Sequence, residues 1–325
     1  MDLESARVPE PRTLVVAEDE RGWRLDLFLA EKLRLSRAQS RRLLVRGAVR
    51  VEGRVVGLDA KGRALAAGVA VEVAPFLRPD EQRARPAPGR RLPILAQGDG
   101  WLALDKPAGM PVHPLEEQET ETLLSAAIAR HPQMHGVGEG GLRSGVVHRL
   151  DVDTSGALLM ATEQATWERL REAFRARNVE KLYRTVVLGR LSGEGREEVA
   201  LVTARHRPAR VRVVTGSERE RTRGARPASL AWRSLEVFDG ATLLEVRLET
   251  GFLHQIRVTL AHRGFPVAGD RTYGAPGDPT GAPRQMLHAA RVRTGDIDAT
   301  SPDPPDFAAL LEQLRGPTPV IGSAP

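Results

Sequence analysis

The stretch Gly145-Val146-Val147-His148-Arg149-Leu150-Asp151-Val152-Asp153-Thr154-Ser155-Gly156 decides how most of this chain is read. Val146 to Leu150 has the apolar, β-branched content of a strand, and Ala157 to Ala161 supplies a second apolar run. Between them stand Asp, Thr, Ser and Gly, which reverse a chain through local hydrogen bonds and permissive backbone angles. On those grounds alone the segment is an ordinary polar connection between two strands.

Outward from it, Leu102 to Leu104, Leu182 to Leu188 and Leu243 to Leu248 also read as strands. Thr122 to Arg130 and Gln164 to Arg177 read as helices, the second with Trp167, Leu170 and Phe174 along one side. Hairpin-like or irregular connections separate most strands, with no regular alternation with helices. This pattern predicts an α+β fold, a mostly antiparallel mixed sheet flanked by helices, over residues 93–316.

Upstream, Arg78 to Arg90 is rich in proline, glycine and charge and has no periodic apolar face, so residues 77–92 are expected to be a Pro/Arg-rich linker. A smaller α/β unit is expected over 21–76, after an N-terminal extension of residues 1–20. There Leu25, Phe28, Leu29 and Leu33 share one helical face, and Ser36 with Gln39 forms a capping box opening a second helix that Gly47 can close. That second helix carries the basic pairs Arg37/Arg41 and Arg42/Arg46 at i,i+4, a spacing that is mildly unfavourable without a polyanion nearby. A solvated charged face is the plainer reading of the same residues. Val49, Val51, the Glu52-Gly53 turn and Val55 suggest a hairpin, and Val69, Val71 and Val73 a further strand. Residues 317–325 are expected to form a flexible tail.

The 325-residue chain has no cysteine, which excludes disulfides and thiolate metal sites. Nothing in it is apolar enough to span a bilayer, and Met1 to Pro11 lacks the basic and then apolar pattern of a signal peptide, so a cytoplasmic protein is expected. The net charge is +6, and 44 of the 48 cations are arginine. A GC-rich coding sequence explains that ratio but not the positive sign, whereas guanidinium groups suit phosphate and stacked bases.

The motifs resolve the reading. His148-Arg149-Leu150-Asp151 followed by Asp153-Thr154-Ser155-Gly156 is very similar to the active-site motif of the RluA family of pseudouridine synthases. Asp105-Lys106-Pro107-Ala108-Gly109-Met110 with Val112-His113-Pro114 resembles its first motif, and Lys181-Leu182-Tyr183-Arg184 its tyrosine motif. Glu249-Thr250-Gly251 with His254-Gln255-Ile256-Arg257-Val258 resembles its arginine motif. Gly269-Asp270, Tyr273-Gly274 and Leu287-His288-Ala289 follow in order. The resemblance runs from about Trp101 to Arg293. Separately, Arg24-Leu25-Asp26 through Val49, Val51 and Gly53 resembles the S-four-like RNA-binding domain.

The resemblance implies the pseudouridine synthase fold and isomerisation of uridine in structured RNA. No atoms enter or leave and no redox occurs, so no cofactor and no metal are expected. Asp151 is implied near the anomeric carbon, with Arg257 as its partner and Tyr183 against the uracil. Whether Asp151 attacks the sugar, attacks the base or removes a ribose proton is left open at this point. His148 is expected to position the loop or touch RNA, and Arg149 to fill the gap left by a flipped base or hold a phosphate. Arg37, Arg41 and Arg42 are further RNA-binding candidates, and Met286 and Leu287 a candidate apolar wall of the base pocket. Two departures stand out: Phe252-Leu253 occupies positions where the family commonly has Arg-Thr, and Val152 one where lysine is common.

The attached S-four-like unit favours large-subunit ribosomal RNA over a tRNA target, and a monomer is expected. A non-catalytic RNA-binding or ribosome-assembly protein on the same scaffold should lack Asp151, Tyr183 or Arg257, and all three are present. A nucleoside hydrolase would need a second carboxylate or a metal to activate water.

Overall fold

A computed structural model describes residues 10–77, 81–206 and 208–316. The chain divides between Glu81 and Gln82 into two units. The first contains β1 (Arg12–Val15), α1 (Leu25–Lys32), α2 (Arg37–Val45), β2 (Val49–Val51), β3 (Arg54–Val55) and β4 (Ala70–Val73). The strands form an antiparallel sheet in the order β1-β4-β2-β3. Leu25, Phe28, Leu29 and Leu33 are fully buried with Leu43, Leu44, Val49, Val51, Val71 and Val73, so the apolar faces close on one core. Ser36 Oγ accepts from Gln39 N at 3.3 Å, and Gln39 Oε1 accepts from Ser36 N at 2.6 Å, which completes the capping box. Glu52 and Gly53 both take positive φ, as a tight hairpin requires.

One boundary is corrected here. Arg12–Val15, expected to lie in an N-terminal extension, pairs along its length with β4. The local pattern of four residues carries no sign of that pairing, because the partner lies almost sixty positions downstream. Residues 1–9 of the extension, 78–80 of the linker and the 317–325 tail lie outside the described residues.

The second unit contains β5 (Ile94–Gly98), β6 (Trp101–Lys106), α3 (Leu123–Arg130), β7 (Ser155–Ala161), α4 (Gln164–Arg175), β8 (Glu180–Leu188), β9 (Glu194–His206) and β10 (Ala209–Val214). It continues with α5 (Gly216–Arg221), β11 (Arg226–Val237), β12 (Ala241–Leu248), α6 (Gln255–His262), β13 (Leu287–Thr294), β14 (Ile297–Thr300) and α7 (Pro305–Arg315). The sheet runs β10-β9-β11-β12-β8-β13-β7-β6-β5, with β14 on β13. Its neighbours are antiparallel except β13 and β7, so the expected mostly antiparallel, mixed α+β architecture is present. Strand β7 is buried throughout because both faces are covered. Leu158 and Met160 enter one core with Leu124 and Ile128 of α3. Ala157, Leu159 and Ala161 enter another with Leu170, Trp167 and Phe174 of α4.

Two further expectations change. Val146–Leu150 is not a strand; apart from one bridge between Val146 and Met160 it is irregular. Two of its carbonyls are met by side chains instead of a ladder: Trp167 Nε1 donates to Val146 O at 3.1 Å and Arg171 Nη1 to Val147 O at 2.8 Å. The linker is also shorter than 77–92. Ala84 and Leu92 are buried in the core of the second unit, and Ala87 N donates to Ser125 O at 2.9 Å. No helix among the described residues is long and apolar enough to cross a membrane.

Candidate active site

A cleft of about 750 Å³ opens in the second unit around residues 148–154, and cations outnumber carboxylates on its wall. Arg149, Arg171, Arg175, Arg177, Lys181, Arg226 and Arg257 line it, against the carboxylates of Asp151 and Glu249. Such a surface attracts a polyanion.

The loop carrying Asp151 is held from three sides. Lys106, at the end of β6, is fully buried, and its Nζ donates to the carbonyls of Pro107 (2.8 Å), Met110 (2.9 Å) and Val152 (2.7 Å). Burial draws its pKa down to about 7, yet three carbonyl acceptors match the three donors of an ammonium. From the side of β13, Arg284 Nη1 donates to Asp153 O at 3.0 Å and Gln285 Nε2 to Thr154 Oγ1 at 2.8 Å. Where the loop enters β7, Gly156 has φ +113°, and a Cβ there would lie 2.2 Å from Ala289 O. Only glycine lets β7 approach β13 this closely.

At the floor of the cleft Arg257, on α6, bridges two carboxylates. Its Nη1 donates to Asp151 Oδ2 at 2.9 Å, while Nε and Nη2 donate to Asp270 Oδ2 and Oδ1 at 2.7 and 2.9 Å. The Asp270 side chain is 0% exposed, Arg257 7% and Asp151 20%, so the assembly opens to solvent only at Asp151. Burial pushes the Asp270 carboxyl up, but the hydrogen bonds and charge of Arg257, with Thr272 N and Tyr273 N, outweigh it and hold the group below its ordinary range. Burial likewise opposes the Arg257 charge, and Asp270 and then Asp151 override it, keeping the guanidinium protonated. A bidentate pair of this kind fixes direction as well as charge, so Asp151 meets a guanidinium whose plane is already set.

The expected neighbours gather here. Tyr183 of β8 and Leu287 of β13 are buried and line the cleft. Burial, and then the charge of Asp151, push the Tyr183 phenol above its usual range, so it stays protonated. Arg149 is exposed on the cleft wall, and Val152 beyond Asp151 is exposed as well. Met286 does not join the apolar wall. It stands just before β13 and packs with Phe307 and Leu311 of α7. His148 stacks on Phe174 with ring centroids 4.5 Å apart, and its Nε2 accepts from Leu159 N at 2.9 Å. Burial, then Lys181 and Arg171, lower its pKa to about 3, so the ring is neutral and braces the loop. Of the three arginines singled out in the first unit, Arg37 and Arg42 are exposed. Arg41 is committed within that unit, donating twice to the buried Asp26 at 2.9 and 2.8 Å.

Asp270, Arg284 and Gln285 carry structural duties that sequence reasoning did not assign. Gly269-Asp270 was visible as a motif, but the partner of the carboxylate was not. His254 begins α6 with φ +55°, and its Nδ1 lies 2.9 Å from Tyr273 Oη, which accepts from Val211 N at 2.8 Å. Among the described residues no group of three or more His, Cys, Asp or Glu side chains could hold a metal ion.

Residues 100–262 match the family described as RNA pseudouridylate synthase. An uncharacterized RNA pseudouridine synthase of Chloroflexus aurantiacus is 36% identical over 94% of this chain and 94% of its own. The ribosomal large subunit pseudouridine synthase D of Yersinia pestis is 32% identical over 93% of this chain and 94% of its own, and that of Nitrosomonas europaea 39% identical over 69% and 65%. Human RNA pseudouridylate synthase domain containing 4 shares the fold, with a TM-score of 0.56 at 22% identity, covering 69% of this chain and 93% of that one. With more than nine-tenths of its length aligned to such enzymes, the chain belongs to the RluA family of RNA pseudouridine synthases, isomerases that act on RNA.

Proposed function

We propose that this pseudouridine synthase modifies large-subunit ribosomal RNA, with Asp151 as the reacting carboxylate. One observation carries the reading: in a cationic cleft, the only part of the Arg257 assembly open to solvent is Asp151, and its guanidinium partner is locked by the fully buried Asp270. The names of the Yersinia and Nitrosomonas relatives support the choice of RNA.

In this reading a uridine leaves its stack and enters the cleft with its sugar facing Asp151. The bond from the anomeric carbon to ring nitrogen breaks, and an ionised carboxylate stabilises or captures the electron-poor sugar. The uracil turns against Tyr183 and Leu287, and ring carbon 5 takes the place of the nitrogen. The nitrogen ends with a proton and carbon 5 gives one up, so composition is unchanged. Arg149, beside Asp151, fills the vacated place in the RNA or holds a phosphate. The first unit acts as an S-four-like RNA-binding domain through Arg37 and Arg42, and the protein works as a cytoplasmic monomer.

The test is a pseudouridine map of total RNA from cells with and without the gene, repeated with wild-type and Asp151→Asn copies restored. Large-subunit sites should vanish on deletion and return only with the wild type. An unchanged map, or rescue by Asp151→Asn, would refute the assignment.

A further inference from the structure

We infer that Phe252 is a stacking platform for a nucleobase adjoining the target uridine, an inference that rests on the RNA reading above. Phe252 lies between β12 and α6, in a loop whose backbone is tied down. Its N–H donates to Gln255 Oε1 at 3.0 Å, and the same oxygen accepts from Thr250 Oγ1 at 2.9 Å. Lys181 Nζ holds Thr250 O at 3.1 Å, and Ser229 N donates to Thr250 Oγ1 at 2.9 Å. The ring packs on a small core containing Leu201 and Val211, is only half-buried, and lines the cleft.

The other aromatic rings of the cleft are engaged. Phe174 is stacked on His148, and Tyr183 is buried beside Asp151. Among the described residues Phe252 has no ring or cation partner. A half-open apolar ring in a cationic, hydrated cleft is best covered by something with an aromatic face of its own, and phosphates do not offer one. Nucleobases do, and an aromatic platform accepts any of them while favouring the larger purines. A cation at this position would read the backbone; the phenyl ring reads a base. The rigid loop means that the ring is in place before the RNA arrives.

The experiment uses the full-length Asp151→Asn chain, so that binding is measured without turnover. The probe is a synthetic RNA hairpin carrying the mapped uridine, with the nucleotide on either side replaced in turn by an abasic one. Adding Phe252→Ala should weaken binding of the intact hairpin about 5- to 100-fold. With one of the two abasic hairpins the same substitution should cost less than about twofold, because the partner is already gone. Phe252→Trp should bind like the parent, while Phe252→Leu, which keeps the packing on Leu201 and Val211, should behave like Phe252→Ala. Equal losses on intact and both abasic hairpins, or full binding by Phe252→Leu, would overturn the inference and leave the ring a packing residue. Turnover of the intact hairpin by the wild type tests the earlier reading separately: no turnover together with intact Phe252 coupling faults the proposed RNA target, not the platform.

Discussion

Replacing Asp270 by asparagine tests whether the buried Arg257 pair organises the site. The amide keeps the shape of the carboxylate but not its charge. At Oδ1 a carbonyl can still accept from Arg257 Nη2, Thr272 N and Tyr273 N, but the amide nitrogen then faces Arg257 Nε–H, donor against donor. Arg257 is left 7% exposed, with only the partly exposed Asp151 to balance it. Removing one partner of a buried pair costs about 3–5 kcal/mol. For a unit the size of residues 82–316, each kcal/mol moves Tm by about 2–4 °C, so its calorimetric transition should fall by about 6–20 °C. The acid limb of stability should flatten as well. The folded pKa of Asp270 lies below its ordinary value, so its contribution is present above about pH 3.9 and is lost as pH falls through the folded value. Asp151→Asn is the control: Arg257 retains Asp270, so stability should change by less than about 1 kcal/mol while turnover disappears. A Tm within 2 °C of wild type for Asp270→Asn, taken as about 1 kcal/mol or less, would mean that the pair is not the buried anchor described here.

Other consequences are as direct. Gly156→Ala, whose Cβ would sit 2.2 Å from Ala289 O at φ +113°, should cost about 2–6 kcal/mol in denaturant melts, whereas Gly109→Ala, with nothing within 4 Å, should cost only about 1–2 kcal/mol of backbone strain. Because the folded pKa of His148 is about 3, against an unfolded value near 6.5, the stability it lends is complete above that value and declines as pH falls towards 3. A stability–pH curve for His148→Ala should lack this decline, and an unchanged curve would refute the neutral brace. A chain starting at Gln82 keeps Ala84 and Leu92 in their core, so it should fold and bind RNA more weakly. Its log-affinity against log-salt slope should be shallower by about two if Arg37 and Arg42 each meet a phosphate, and an unchanged slope would reduce them to a solvated face.

The sequence made the helices of both units legible wherever apolar spacing and caps coincide, as at Leu25 to Leu33, Ser36/Gln39 and Thr122 to Arg130. It also made the site legible as a set: Asp151, Tyr183, Arg257 and Leu287 meet in one cleft, although Asp151 and Arg257 are 106 positions apart. Illegible were the places where backbone groups find distant side chains. Val146–Leu150 has strand composition, but the carbonyls of Val146 and Val147 accept from the side chains of Trp167 and Arg171, and His148 accepts from Leu159 N of β7. The pairing of Arg41 with the buried Asp26 was hidden because the two stand on different helices. The arrival of β1 on β4 and the identity of Asp270 as the anchor of Arg257 are likewise long-range facts, set by tertiary packing and not by any window of residues.

The single parallel seam between β7 and β13 has a consequence for biosynthesis. Its registered pairs, His288 with Ser155 and Ala289 with Gly156, join segments more than 130 positions apart, and Arg284 and Gln285 clasp the Asp151 loop from the later one. While the chain is being made N-terminus first, the carboxylate loop is therefore complete long before its clasp exists. Closing so large a loop is slow. The Asp151 loop can therefore be clasped by Arg284 and Gln285 only once the segment that carries them has been made.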